Sequence, residues 1–273
     1  MTYKTLLELL HEGRFEEFTY AFSEAHGSFI NETDEEGWTL LHHAAESGDI
    51  SFMQFLISEG ADINARSCSG YYPFYITIET GTYTPEIAEL FISHGARVGG
   101  ALHQSVLMQD IALCEHFIST GFDLELTDEF GNTALHNAVV TGNSAITSLL
   151  LEKGVNLNCQ DISQTTPLHA ICADGTIELL PLFLSYNPDL EVKDYNGRTA
   201  LIFAAGNAFG EAVEALIAQG ANLNVQDNFG NTALHYAFEN EEIEIAQILI
   251  KAGANVQLTN NEGLQPFDLF PEQ

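Results

Sequence analysis

The segment GNTALHNAV at residues 131–139 returns as GNTALHYAF at residues 230–238, and two related segments lie between them. These are TTPLHAICA from Thr165 and GRTALIFAA from Gly197. Aligned on the residue after the shared leucine, they place His136, His169, Ile202 and His235 at equal steps along the chain. Self-similarity at a fixed period is the signature of repeat architectures, so this period decides the fold before any local pattern does.

The same period extends toward both ends of the chain. Upstream, WTLLHHAAESGD places His42 and GYYPFYITI places Tyr75, one full period apart. The step from Tyr75 to His103 is shorter than the period, so the third repeat is shortened and lacks most of the turn that precedes its helix. Downstream, LQPFDLF places Asp268 one period after His235 and begins a truncated final unit.

A second motif keeps the same spacing, as SEGADIN, STGFDLE, EKGVNLN, AQGANLN and KAGANVQ. The pattern D-x-x-G-x-T-x-L-H-x-A followed by G-A-x-x-N resembles the ankyrin repeat over residues 34–270. The resemblance implies an all-α solenoid of stacked helix-turn-helix units joined by short finger turns. We therefore predict a single domain over 1–273, with an N-terminal helical cap at 1–33, seven repeats at 34–259 and a truncated C-terminal cap at 260–273.

Local chemistry agrees with helix pairs of this kind. Proline at positions 73, 167 and 266 suits the first position of a helix, where its missing N–H leaves no hydrogen bond unmade. Glycines after the second helices favour the left-handed conformation that ends a helix. Segments such as ITSLLLEKG and IEIAQILIKAG carry apolar residues at helical spacing. Neither helix of a pair can bury its apolar face alone, so we expect each pair to stack on the next.

Charge sets this composition apart. The apolar share of 45% excludes simple disorder, but 8 Lys and Arg stand against 39 Asp and Glu, for a formal net charge of −31. Such a surface repels nucleic acid and anionic lipid and attracts basic proteins. We therefore expect a monomer that binds another, basic protein and neither nucleic acid nor membrane. Solubility alone is the alternative explanation of the charge.

The cysteines and the N-terminus point to a reducing compartment. Cys68, Cys114, Cys159 and Cys172 show no C-x-x-C spacing and no disulfide framework. The N-terminal MTYKTLLELLHEG lacks the long apolar run of a signal peptide, and no apolar stretch approaches the length of a membrane span. We expect a cytoplasmic protein, with secretion into a host cell as the alternative.

Nothing in the sequence supports catalysis, so we predict no catalytic residue, no metal ligand, no cofactor and no enzymatic activity. One histidine per repeat, as at His136 and His169, would tie a helix start to the backbone of the next repeat. Carboxylates as abundant as these form pairs by chance, and the acids that open the fingers would cap their own turns. No G-x-S-x-G, P-loop, G-x-G-x-x-G or H-E-x-x-H occurs.

The ankyrin resemblance implies that partner contacts lie on the finger tips and on the exposed side of the first helices. The aromatic candidates at these positions are Trp38, Tyr71, Phe130, Tyr195, Phe203, Phe229 and Tyr236. The acidic candidates are Glu35, Glu36, Glu79, Asp128, Glu129, Asp174, Glu239, Glu241 and Glu242. Aromatics dominate interface hot spots, and a carboxylate rim around them suits a partner rich in Lys or Arg. We expect about half of the aromatics to fold back onto a neighbouring finger.

The irregular second and third repeats, over residues 67–105, are predicted to indent the surface there, which makes Tyr71 and Tyr72 a secondary candidate site. The function predicted is a non-enzymatic module that captures a basic protein and inhibits it, as an immunity protein or inhibitor does. Two alternatives stay open. One is a secreted bacterial effector that binds host proteins through its repeats, and the other is an acidic mimic of nucleic acid.

Overall fold

A computed structural model of the chain describes residues 2–96, 99–128 and 130–270. The Cα positions group into two compact units, Met1–Ser105 and Val106–Gln273. The boundary falls within the shortened third repeat. The single continuous domain stays a prediction.

The first unit consists of helix pairs. The first pair is α1 (Tyr3–His11) and α2 (Phe15–Glu24), which lies in the segment predicted as an N-terminal helical cap. The pairs that follow are α3 (Leu40–Ser47) with α4 (Ile50–Ser58) and α5 (Pro73–Glu79) with α6 (Pro85–Ser93). Helix α7 (Gly99–Leu107) runs across the boundary between the units.

The second unit continues the pattern. Its helices are α8 (Ile111–Ser119), α9 (Ala134–Val140), α10 (Ser144–Glu152), α11 (Pro167–Asp174), α12 (Leu180–Leu184), α13 (Ala200–Gly206), α14 (Gly210–Ala218), α15 (Ala233–Glu239) and α16 (Ile243–Lys251). A 3₁₀ turn at Ile177–Leu179 precedes α12. A second 3₁₀ turn, at Pro266–Leu269, lies in the segment predicted as a truncated C-terminal cap.

Helix starts follow the repeat chemistry. A threonine in extended conformation precedes the first helix of most repeats, as Thr39, Thr133 and Thr166 do. All three predicted prolines occupy the first turn of their elements. Because the four N-terminal N–H groups of a helix have no partner within it, a threonine at this position caps the helix and fixes its first residue.

The core is built from alternating small and large side chains. In the second unit the first helices contact one another in series, α9 with α11, α11 with α13, and α13 with α15. Ala138, Ala204 and Ala237 are fully buried on these helices, and such small side chains allow close approach. In the first unit, by contrast, the edges of the Phe15 and Phe18 rings pack on Phe52 with centroids 5.1 Å apart.

The all-α class is confirmed. No β-strand occurs among the described residues, where a lone antiparallel bridge joins Thr127 and Thr133 within one finger. The finger tips and the first helices are the two surfaces on which the ankyrin resemblance places partner contacts.

Candidate functional site

Each finger is a turn closed by its own first residue, and this turn sets the position of the aromatic side chain at its tip. In the finger at residues 128–133, Asp128 Oδ1 accepts the backbone N–H groups of Phe130 and Asn132, both at 2.9 Å. The same arrangement holds at Asp34, Asp161, Asp194, Asp227 and Asn260. The finger acids are therefore structural, as predicted, and Asp128 has little freedom to meet a partner.

The recurrent histidines join one repeat to the next. The Nδ1 atom of His136 accepts the Thr133 N–H at 3.1 Å, so its Nε2–H donates to the Thr165 carbonyl at 3.1 Å. The imidazoles of His42, His169 and His235 make the same pair of bonds. Burial lowers the pKa of these last three histidines, which keeps them neutral. The prediction that they are structural ties is confirmed.

Five of the predicted site residues meet in one open groove of the first unit, which we call the Trp38 groove. It encloses about 590 Å³ and is lined by Glu35, Glu36, Trp38, Cys68, Ser69, Tyr71, Ile76, Glu79 and Thr80. One finger contributes Glu35, Glu36 and Trp38, the next contributes Tyr71, and α5 contributes Glu79. The two fingers are joined by the Cys68 N–H, which donates to the Glu36 carbonyl at 2.9 Å.

The rings of this groove are held by their neighbours. Tyr71 stacks on Tyr75 with centroids 4.6 Å apart and keeps 36% of its surface exposed. Burial, followed by the nearby Tyr71 and Glu79, raises the pKa of Tyr75 to about 12. Trp38 is half-buried against His42 and His43. The groove therefore pairs fixed aromatic rings with three exposed carboxylates.

A second groove, in the second unit, brings Phe203, Tyr236 and Glu239 together around Arg198, and we call it the Arg198 groove. It encloses about 430 Å³. The Arg198 guanidinium lies 4.2 Å from the Phe203 ring centroid and pairs with Asp194 at 2.8 Å. An internal cation therefore occupies the ring face that the sequence interpretation assigned to a partner cation.

Tyr236 also has a structural role. Its hydroxyl donates to Asp227 Oδ2 at 2.6 Å, and burial together with this bond raises the pKa of Tyr236 to about 12. Phe203 and Tyr236, which the ankyrin resemblance places on the exposed side of the first helices, therefore also make contacts within the fold. Both rings are half-buried and contact groups that hold a finger in place.

Other positions that follow the histidine position differ from the expected exposure. His43, Ile76 and Asn137 lie on the side of the first helices that the ankyrin resemblance implies to be exposed, but they are buried. Asp174 is exposed at the end of α11 and lines a small cavity with Phe203. Glu241 is exposed in the left-handed conformation, and Glu242 is half-exposed at the start of α16. Glu129 lies outside the described residues.

Three finger tips in the second unit carry strongly exposed aromatic side chains. Phe130 is 57% exposed, Tyr195 71% and Phe229 59%. The sequence interpretation missed a fourth apolar tip, Ile162, which is 71% exposed. Its signal was present, since Ile162 lies one period before Tyr195. Neighbouring tips are joined through backbone, as the Ile162 N–H donates to the Phe130 carbonyl at 3.0 Å. We call these four residues the tip row.

In the part of the chain that the structure describes, every helix falls short of the length and apolar character that crossing a membrane requires.

Comparison with known proteins agrees with the fold. The sequence profile for ankyrin repeats (3 copies) matches residues 4–100, 102–194 and 168–260. Ankyrin repeat protein OPG025 of vaccinia virus (strain Western Reserve) is 41% identical over 64 residues, which cover 23% of this chain and 10% of that protein. Rabankyrin-5 of Mus musculus is 29% identical over 128 residues, covering 40% of this chain and 11% of that protein.

A third relative is shorter. Protein phosphatase 1 regulatory subunit 27 of Mus musculus is 33% identical over 93 residues, covering 32% of this chain and 59% of that protein. The chain thus spans only about a tenth of the viral protein and of Rabankyrin-5. Ankyrin repeats are in general scaffolds for protein–protein interaction and not enzymes. Since the profile matches nearly the whole length between residues 4 and 260, the chain belongs to the ankyrin-repeat family.

Proposed function

We propose that the protein is a non-enzymatic binding module whose acidic surface captures a basic protein partner and inhibits it. The observation that carries this proposal is the Trp38 groove. There, the rings of Trp38 and Tyr71 lie between Glu35, Glu36 and Glu79, and all three carboxylates are exposed.

The size of the groove favours side chains as its occupants. A space of about 590 Å³ holds a few side chains of a partner rather than a folded element. Lysine and arginine bury a long apolar stem and keep a charged head free. Such a stem fits against Tyr71 and Trp38, and its head then meets the three carboxylates. A cation at an aromatic face contributes about 0.5–2 kcal/mol, more as water is excluded.

The tip row supplies the apolar part of the proposed interface. Exposed rings and branched side chains on adjacent fingers lower solubility unless a partner covers them. Phe130 and Tyr195 are too far apart in the order of the fingers to form one apolar patch, but Ile162 on the finger between them extends the patch from one to the other. We place affinity mainly in this row and selection for basic partners mainly in the Trp38 groove.

The comparisons support regulation as the outcome of binding. One relative is, by its name, a regulatory subunit of a phosphatase. A module without chemistry of its own regulates a partner by covering its functional surface. We therefore propose inhibition by occlusion for this chain.

The test compares two triple variants with the same change in charge. Glu35→Gln, Glu36→Gln and Glu79→Gln neutralise the groove. Glu89→Gln, Glu214→Gln and Glu244→Gln neutralise three exposed acids on the outer helices α6, α14 and α16. Each protein is immobilised, the proteins retained from the source cell are identified, and the affinity of the main partner is measured against ionic strength.

We expect the main partner to be a basic protein whose affinity falls as salt rises. The outer-helix variant should bind it as the wild type does, whereas the affinity of the groove variant should be at least about 10-fold lower. Equal loss in both variants would show that net charge and not the groove attracts the partner. An acidic partner, or affinity independent of salt, would reject the proposal. A partner whose DNA binding competes with this protein would instead favour the nucleic-acid mimic.

A further inference from the structure

A cluster of metal-ligating side chains lies outside both grooves, between α1 and α3 of the first unit. His11 is in the last turn of α1, and His43 and Glu46 stand three residues apart on α3. One ligand atom from each of the three lies within 4.8 Å of the other two. Sequence motifs could not show this, because the two histidines are far apart in the chain and no short H-x-x-x-H spacing joins them.

The orientation of His43 is fixed by a carboxylate behind it. Its Nε2 atom lies 2.9 Å from Asp34 Oδ2. The other oxygen of this carboxylate, Oδ1, accepts the Glu36 and Trp38 N–H groups, so Asp34 acts as a hydrogen-bond acceptor here. The Nε2 atom therefore carries the proton, and the lone pair of a neutral His43 is on Nδ1. A carboxylate that holds a histidine in this tautomer is the usual partner of a metal-binding imidazole.

The Nδ1 atom of His43 is buried and has no hydrogen-bond partner among the described residues. Its nearest acid, Glu46 Oε2, is 3.7 Å away, which is too long for a hydrogen bond. The His11 ring stands edge-on to the His43 ring, with centroids 5.2 Å apart. A buried acceptor without a partner costs free energy of about 1–3 kcal/mol, so its persistence needs an explanation.

We propose that His11, His43 and Glu46 bind one Zn²⁺ ion, with Asp34 as the positioning residue behind His43. Two imidazoles and a carboxylate suit Zn²⁺ and leave a fourth position for water. Tetrahedral bonds of about 2.0–2.1 Å place ligand atoms roughly 3.3 Å apart, so the present atoms must close by an ångström or so. The exposed side chains of His11 and Glu46 are free to make that movement. The ion joins the N-terminal helix pair to the first repeat.

The test is a titration of the metal-free 273-residue chain with ZnCl₂, followed by calorimetry and by thermal unfolding. A Cys68→Ser background removes the exposed thiol, which would otherwise bind zinc itself. The variants are His11→Ala, Glu46→Gln and Asp34→Asn. The matched control is His94→Ala, which removes an exposed histidine at the end of α6.

Asp34→Asn separates positioning from folding. The Asn side chain keeps the Oδ1 acceptor for the Glu36 and Trp38 N–H groups, so the finger turn is retained. The amide that replaces Oδ2 donates to His43, which moves the ring proton to Nδ1 and removes the lone pair from the site.

We expect one zinc ion per chain and a rise in unfolding temperature with zinc. Affinity should fall about 10–100-fold in Asp34→Asn, and at least about 10-fold in His11→Ala and Glu46→Gln, while His94→Ala binds as the parent does. In chelator, Asp34→Asn should unfold at nearly the parent temperature. Zinc affinity unchanged in His11→Ala, or the absence of a stoichiometric site in the parent, would overturn the proposal.

Discussion

At the scale of single residues, Thr166 and Thr199 occupy the same place in neighbouring repeats but have different surroundings. The hydroxyl of Thr166 lies 2.8 Å from His169 Nδ1 and caps α11. In the next repeat Ile202 replaces the histidine, and the buried Thr199 hydroxyl has no hydrogen-bond partner within the described residues. The repeat keeps its threonine without the group that satisfies it.

This difference predicts opposite effects of one isosteric change. Thr166→Val removes a hydroxyl that the His169 ring contacts and that accepts the His169 backbone N–H, so we expect a loss of about 1–2 kcal/mol in the free energy of unfolding. Thr199→Val removes an unsatisfied hydroxyl and replaces it with a methyl group, so we expect no loss and a gain of up to about 1 kcal/mol. Urea unfolding of both variants measures the contrast. Equal losses would mean that the Thr199 hydroxyl does have a partner in solution.

The sequence predicts such residue-scale chemistry where a local motif carries it. The finger acids and the histidine ties were predictable because each acts within or beside its own repeat. The roles of Phe203 and Tyr236 were not, although Arg198 and Asp227 lie in the same repeats, because these contacts depend on how each finger folds against its first helix. The cluster of His11 and His43 was hidden because these two residues lie in different helix pairs.

At the scale of elements, the fingers depend on glycine as much as on their acids. Gly131 has φ of +80°, and a Cβ atom there would lie 2.9 Å from the Ile162 backbone N of the next finger. Gly154, at the end of a second helix, has φ of +75°, but a Cβ atom would meet nothing within 4 Å. The two glycines share a conformation and differ only in their neighbours.

We therefore expect Gly154→Ala to cost about 1–2 kcal/mol, the penalty of a left-handed L-residue. Gly131→Ala should lower the free energy of unfolding by at least about 1 kcal/mol more, because the Ile162 backbone would have to move away from the new Cβ atom. This movement would strain the hydrogen bond from the Ile162 N–H to the Phe130 carbonyl. Denaturant unfolding gives both values. Equal losses of stability in the two variants would show that the neighbouring finger can move away from the added Cβ atom without cost.

Prediction of the helices succeeded because the period of the repeat marks the start of most first helices with threonine or proline. The exposure of side chains was predicted less well, since His43 and Ile76 occupy positions that the repeat pattern implies to be exposed but are buried. A repeat pattern fixes where a helix lies in sequence, whereas exposure depends on how closely the next pair packs. Ile162 was missed for the converse reason, because the prediction of finger contacts rested on aromatic side chains and this tip is aliphatic.

At the scale of the whole molecule, a net charge of −31 acts on stability as well as on binding. Among the described residues, few carboxylates form salt bridges with arginine. Arg14 pairs with Glu12 and Glu17, and Arg198 pairs with Asp194. Most carboxylates are therefore balanced by solvent ions alone. Their mutual repulsion is stronger in the compact state than in the unfolded chain, so it lowers the free energy of unfolding.

We therefore predict that salt stabilises the free protein while it weakens the complex. Raising NaCl from about 10 mM to about 200 mM shortens the screening length from roughly 30 Å to below about 10 Å, which reduces repulsion between distant carboxylates. The urea midpoint should rise over this range, and the denaturant slope should stay unchanged if only stability is altered. The Glu89, Glu214 and Glu244 triple glutamine variant is the control, since with three fewer charges it should be more stable at low salt and respond less to NaCl. A midpoint independent of NaCl in both proteins would show that the negative charge is already balanced, for example by bound cations, and repulsion would then not oppose folding.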